Sequence, residues 1–200
     1  MEIVIASHNL HKIREFREMF KAFKSLEHLD ILSLSNFPKY ELPEETGTTF
    51  KENALLKGRD AAARTKKWVL ADDSGLVVPK LQGSPGVYSA CYAGEQATDA
   101  DNRQKLLSAM QGMSGLDRCA YFECCLVLCG PNGTEKCVTG ICEGHLLAEE
   151  RGRHGFGYDP LFVKNDYEKT FAELNDSVKN RISHRYKAFE KLVNALEALK

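Results

Sequence analysis

Val69-Leu70-Ala71-Asp72-Asp73-Ser74-Gly75-Leu76-Val77-Val78 is the stretch on which the reading of this chain turns. The apolar run from Trp68 to Ala71 has the composition of a buried strand, and it meets two adjacent carboxylates, a hydroxyl and a glycine. Strands that end on polar residues are typical of open α/β sheets, where ligands bind beyond the strand ends. Side chains alternate along a strand, so Asp72 and Asp73 are expected to point to opposite sides. One carboxylate can then face a ligand while the other anchors the local structure. Carboxylate oxygens suit a hard cation such as Mg2+, which completes its shell with water and phosphate oxygens. A polar turn uses the same residue types, so the stretch by itself leaves both readings open.

Upstream, Ile3-Val4-Ile5-Ala6 reads as a strand, and Ser7-His8-Asn9-Leu10-His11-Lys12 leads into a helix with Ile13, Phe16, Phe20 and Phe23 on its apolar face. Backbone N–H groups at such a helix start form an anion site, and Lys12 adds a charge one turn in. An ordinary capped helix with a solvated lysine fits the same residues. The loop lacks the glycines of a Walker or dinucleotide-binding fingerprint. Leu29 to Leu34 is a candidate second strand. Thr49 and Glu52 have capping-box spacing for a helix from Phe50 to Thr65. Glu44 and Glu45 precede it, either as acidic residues near a positive helix end or with one of them as a second metal-side carboxylate.

Downstream, Thr98 or Asp99 caps a helix to about Met110. Cys119–Cys129 and Lys136–Cys142 form a hairpin around Gly130-Pro131-Asn132-Gly133. Gly152, Gly155 and Gly157 surround Phe156 and lead to Tyr158 and Asp159, a loop that can approach a ligand closely and offers aromatic faces. Leu161-Phe162-Val163 returns as a strand. Lys179, Arg181, His184, Arg185 and Lys187 are the densest basic cluster. Ser183 is placed to cap a final helix with the buried stripe Phe189, Leu192, Val193 and Leu196. Cations at a helix start are unfavourable unless an anion is near, so the cluster is either a solvated charge run or an anion-binding group.

The 200 residues fit one domain or a compact two-lobed one. A net charge of -1 leaves no footprint for long nucleic acid. No apolar run is long enough to span a membrane, and the short N-terminal stretch without a basic leader is not read as a signal peptide. The seven cysteines include no Cys-x-x-Cys pair, which argues against a zinc ribbon. Thiols in strand-like segments without a secretion signal suit a reduced, cytoplasmic protein.

Six pieces of the chain together resemble the inosine triphosphate pyrophosphatase, or Ham1-like, family. They are Ser7-His8-Asn9-Leu10-His11-Lys12, Glu45-Thr46-Gly47-Thr48-Thr49-Phe50-Lys51-Glu52-Asn53-Ala54, Ala71-Asp72-Asp73-Ser74-Gly75-Leu76, Pro85-Gly86-Val87-Tyr88-Ser89-Ala90, Gly155-Phe156-Gly157-Tyr158-Asp159-Pro160 and Ile182-Ser183-His184-Arg185. The resemblance implies one α/β domain over residues 1–200, two-lobed, with a long mixed β-sheet, flanking helices and a cleft between the lobes. It implies hydrolysis of deaminated purine nucleoside triphosphates (ITP, dITP, XTP, dXTP) to monophosphate and pyrophosphate, a house-cleaning reaction, with Mg2+ in a cytoplasmic homodimer. It makes Asp73 the general base and a metal ligand, Glu45 or its neighbour Glu44 the second metal-side carboxylate, and Asp72 their support. Ser7, His8, Asn9, Leu10, His11 and Lys12, with Ser74 and Lys179, would hold phosphate and sugar. Phe156, Gly157, Tyr158 and Asp159 would line the base pocket, and His184 and Arg185 would read the base edge. Cys91 departs from the pattern, which has arginine after Ser89-Ala90. The rival readings are a Maf-type pyrophosphatase for other modified bases and a nucleotide-binding regulator without catalysis.

Overall fold

In the computed structural model, which describes residues 1–199, the elements follow one another as β1 (Glu2–Ile5), α1 (Leu10–Ala22), β2 (Asp30–Ser33), α2 (Phe50–Thr65), β3 (Trp68–Val77), α3 (Asp99–Ala109), β4 (Cys119–Cys129), β5 (Glu135–Leu146), β6 (Phe162–Lys164), α4 (Asp176–Ile182), α5 (His184–Glu190) and α6 (Val193–Glu197). The six strands form one mixed sheet in the order β2-β1-β3-β4-β5-β6. Strand β1 is parallel to β2 and to β3, with Val4 beside both Leu32 and Val69, whereas β5 and β6 are antiparallel. The α/β class with a mixed sheet and flanking helices therefore holds. Among the described residues, no helix is long and apolar enough to cross a membrane.

Local chemistry sets several of these boundaries. Asn9 caps α1 by accepting from the backbone N–H groups of His11 and Lys12. The Thr49/Glu52 capping box forms as its spacing predicts: the Thr49 hydroxyl accepts from Glu52 N at 3.2 Å, and the Glu52 carboxylate accepts from Thr49 N at 3.1 Å. Thr98 and Asp101 repeat the device at the start of α3.

Boundaries differ from the sequence reading in β5, which runs to Leu146 rather than Cys142, and at two places near the candidate site. Strand β3 does not stop at Ala71 but continues through Asp72-Asp73-Ser74-Gly75 to Val77. Two buried carboxylates inside a strand require nearby cations, and helices distant in sequence supply them, as described below. The C-terminal segment is not one helix: Ser183, in an extended conformation, ends α4 and directly precedes α5, and α6 follows. Lys179 and Arg181 therefore occupy the last turn of a helix, where cations are favoured, and His184 and Arg185 open the next one.

The residues divide into two compact units. The first contains Met1–Asp73, Cys124–Gly140 and the chain from Arg185 onward. Its core joins Ile3 and Ile5 of β1, Ile13, Phe16 and Phe20 of α1, Leu70 of β3, and Leu126 and Leu128 of β4. The expected stripe Phe189, Leu192, Val193 and Leu196 completes it, with Phe20 and Phe189 edge to face at 4.8 Å between centroids. The second unit contains Ser74–Glu123 and Ile141–His184. Leu76, Leu106, Phe122, Cys142, Phe162 and Phe171 are among its core residues, and Phe122 packs on Phe162 at 4.8 Å.

Candidate active site

The first unit contains the carboxylates. Alternation along β3 separates Asp72 from Asp73 as expected. Asp72 meets cations from two helices, Lys12 of α1 at 2.9 Å and Arg185 of α5 at 3.3 Å. Asp73 meets α2 instead: Asn53 Nδ2 donates to its Oδ2 at 3.2 Å, and Lys57 Nζ lies 3.5 Å from its Oδ1. Asn53 and Lys57 stand four residues apart and so share one face of α2. Asn53 Oδ1 also accepts from Gly47 N at 2.8 Å, which ties down the loop before α2. That loop brings Glu45 to Lys57 at 2.7 Å. Glu45, rather than its neighbour Glu44, is thus linked to Asp73 through one shared ammonium. A further carboxylate, Glu15, is buried on the apolar side of α1 and accepts from Arg185 Nη1 at 2.5 Å.

These surroundings drive the two aspartates apart in acidity. Burial is the largest influence on Asp73 and lifts its carboxyl to about 6; Lys57 pulls it down and Glu45 pushes it up. Burial also opposes charge on Asp72, yet Lys12, Arg185 and Lys57 together hold it well below the usual carboxylate range. Burial is likewise the largest influence on Lys57 and opposes its charge, but Asp73, Asp72 and Glu45 together raise its pKa. The pair is therefore one fixed anion and one carboxylate that titrates near neutrality, the arrangement that separates a structural charge from an acid–base group.

A stability consequence follows for Asp73. A carboxyl raised in the folded state favours folding below its unfolded pKa near 3.8, and that contribution is lost as pH rises through about 6. The difference between these values corresponds to roughly 3 kcal/mol at most. In metal-free buffer, wild type is expected to lose stability relative to Asp73→Asn between pH 4 and pH 7, by up to about that amount. Thermal melts of both proteins across this range check it; parallel curves would remove Asp73 as a titrating group.

The donor chemistry at Glu45 and Asp73 fits a hard dication. Two carboxylates converge on one cationic point, occupied here by Lys57 Nζ. Among the described residues no three His, Cys, Asp or Glu side chains gather to hold a metal alone. A bound Mg2+ would draw its remaining ligands from water and substrate phosphates, as that ion usually does.

The second unit contains the glycine loop. Lys179 is buried, pairs with Asp159 at 2.6 Å, and lies 4.6 Å from the centroid of the Phe156 ring. Asp159 also accepts from Phe156 N at 2.9 Å, so one carboxylate fixes both the loop backbone and the cation over its aromatic. Gly157 is held on both sides, its N–H donating to Asp99 at 2.7 Å and its carbonyl accepting from Arg103 at 2.9 Å. Tyr158 donates its hydroxyl to the Ser89 carbonyl. His184 is buried, its ring flat against Phe122 at 4.8 Å and 14°.

Sequence-read residues thus fall into two groups. Lys12, Glu45, Asp72, Asp73 and Arg185 come together in the first unit, where Ser7 and Asn9 shape the start of α1 and His8, Leu10 and His11 are exposed. In the second unit, Lys179 stands with Phe156 and Asp159, Tyr158 is buried and Ser74 half-buried. Asn53, Lys57, Glu15 and Phe122 were missed. The four-residue spacing of Asn53 and Lys57 directly after the acidic loop was a usable signal. So was a glutamate beside Ile13 and Phe16 on an apolar helix face, three residues after Lys12.

A model of the Ham1 family matches residues 3–195. The chain is 63% identical over 201 residues to a dITP/XTP pyrophosphatase of Protochlamydia amoebophila (strain UWE25), with all of both chains covered. It is 50% identical over 200 residues to a dITP/XTP pyrophosphatase of Chlamydia abortus (strain DSM 27085 / S26/3), covering all of this chain and 96% of the other. Among solved structures, the Ham1 protein of Staphylococcus aureus matches with a TM-score of 0.86 at 41% identity, over the full length of both. With the match running nearly end to end in sequence and in fold, the chain belongs to the Ham1 family.

Proposed function

We propose that this protein hydrolyses deaminated purine nucleoside triphosphates (ITP, dITP, XTP and dXTP) to the monophosphate and pyrophosphate. The observation that carries the reading is Asp73: a buried carboxylate held by Asn53 and Lys57, with Glu45 on the same ammonium, in a relative of dITP/XTP pyrophosphatases. An ionised carboxylate within hydrogen-bond reach of the attacking water can take its proton. Lys12, fixed on Asp72, and Lys57, fixed on Glu45, offer positive charge to a phosphate chain whose own charge opposes attack. Mg2+ held by Glu45 and Asp73 would supply Lewis acidity and a template for phosphate oxygens. Ser7 to Lys12 and Ser74 are assigned to phosphate and sugar. Phe156, Gly157, Tyr158 and Asp159, with Lys179 beside them, are assigned to the base end, Phe156 as its stacking face. His184 and Arg185 are assigned to the base edge. On this reading residues 1–200 work as one two-lobed domain in a cytoplasmic homodimer, with a nucleotide and not a nucleic acid as partner; the family resemblance supports that part.

Pyrophosphate release from ITP, XTP, GTP, ATP, dTTP and UTP with Mg2+ tests the assignment. Fast turnover of ITP and XTP with pyrophosphate as product is expected. Orthophosphate as the product, or equal rates for all six, would overturn it.

The base loop gives a separate prediction. Gly155 has φ +77, and a Cβ there would overlap Asp159 Oδ2. Gly155→Ala therefore strains the backbone by about 1–3 kcal/mol and displaces the carboxylate that holds Phe156 and Lys179. A rise of about tenfold in KM for ITP is expected, since 1.4 kcal/mol is a factor of ten. Unchanged steady-state kinetics would separate this loop from the base.

A further inference from the structure

Six of the seven cysteines lie in β4 and β5, and two of them meet across the hairpin: Cys125 Sγ and Cys137 Sγ are 3.2 Å apart. The hairpin is closed tightly, with Gly130 N donating to Thr134 O at 2.7 Å, so the strands that bear these thiols are held side by side. Alternation puts Cys125, Val127 and Cys129 on one face of β4. Helix α2 covers that face, since a Cβ on Gly58 would lie 2.7 Å from Cys129 Sγ and 3.1 Å from Val127 Cγ2. Cys125 is 1% exposed, whereas Cys137 is only half-buried. All seven cysteines are thiols, none in a disulfide.

We propose that Cys125 and Cys137 are a reversible dithiol–disulfide site that reacts with peroxides. The exposure difference assigns the roles. The Cys137 thiolate attacks one peroxide oxygen, the O–O bond breaks, and a sulfenic acid and water result once the thiol proton is counted. The Cys125 sulfur then attacks the sulfenic sulfur, the S–S bond forms, the S–O bond breaks, and the hydroxyl leaves as a second water with the Cys125 proton. Two thiols are oxidised and one peroxide is reduced to two waters. The sulfurs need to close by only roughly 1 Å to reach bonding distance, a movement within the reach of side-chain rotation. Cys129 competes poorly, because burial pushes its thiol up to about 11 and keeps it protonated. A resolving thiol at this distance diverts the sulfenic acid from the irreversible sulfinic and sulfonic steps.

The test uses the reduced full chain treated with hydrogen peroxide, quenched with catalase, alkylated under denaturing conditions and mapped by mass spectrometry. Titratable thiols are expected to fall from seven to five, with a Cys125–Cys137 linked peptide that dithiothreitol reverses. In Cys125→Ser, with Cys125→Ala as a second variant for this buried position, Cys137 is expected to accumulate as sulfinic and sulfonic acid that dithiothreitol does not restore. Retention of all seven thiols in wild type, linkage between another pair, or equal over-oxidation of Cys137 in wild type and variant would overturn the proposal.

Discussion

Replacing Asp73 by asparagine is expected to slow pyrophosphate release from ITP by about 10²–10⁴-fold, the usual loss on removing a general base. The change keeps the shape of the side chain and removes its basicity. An amide oxygen can still accept from Asn53 Nδ2, and Lys57 keeps Glu45 as a partner, so the surroundings retain their hydrogen bonds. The fold is therefore expected to survive, and melting near neutral pH should be no lower than in wild type, since a buried charge has been removed. If Asp73 also holds the dication as proposed, loss of that carboxylate adds to the deficit in rate. Initial rates beside thermal melts decide the matter: an active Asp73→Asn variant, within twofold of wild type, would remove Asp73 from the chemistry.

Arg185→Ala is expected to act on stability and on base choice together. The guanidinium is buried between Glu15 and Asp72, and removing it breaks the buried Glu15 ion pair while Asp72 keeps Lys12. Breaking a buried ion pair from one side typically costs about 3–5 kcal/mol. Burial is the largest influence on Arg185 and opposes its charge, but Glu15 and Asp72 together raise its pKa far beyond any working pH. It is thus a donor at every pH, with no acceptor to offer. Hypoxanthine and xanthine present an oxygen at position 6, where adenine presents an amino donor. A donor meeting a donor leaves bonds unmade, at about 1–3 kcal/mol, or roughly ten- to a hundredfold against ATP. At a temperature where the variant is folded, kcat/KM should fall strongly for ITP and little for ATP. The ITP-to-GTP ratio should change less, because guanine keeps the 6-oxo group. If ITP and ATP slow by the same factor, Arg185 serves only to neutralise Glu15 and Asp72, and the base-edge assignment is wrong.

Where a rule acts within a few residues, the sequence determined the outcome. Thr49 and Glu52 set the start of α2, and its bounds at Phe50 and Thr65 came out as read, because a capping box is closed by neighbours along the chain. Thr98 did the same for α3, and Gly130 to Gly133 for the β4–β5 turn. The period of two along β3 correctly sent Asp72 and Asp73 to opposite sides, since that alternation is a property of extended backbone itself. The six motifs together were enough to indicate the family. Tertiary structure alone decided what surrounds those side chains. The sequence reading ended the buried strand at Ala71, where the apolar run meets the carboxylates. The strand continues because Lys12, Lys57 and Arg185 converge on them from helices 16 to 113 residues away in sequence. Burial raises Asp73 toward neutrality against the pull of Lys57 and Lys12, while Lys12, Arg185 and Lys57 keep Asp72 ionised. Burial and charge–charge attraction act through space, and two chemically identical neighbours acquire different acidities only when the fold has chosen which charges each one faces.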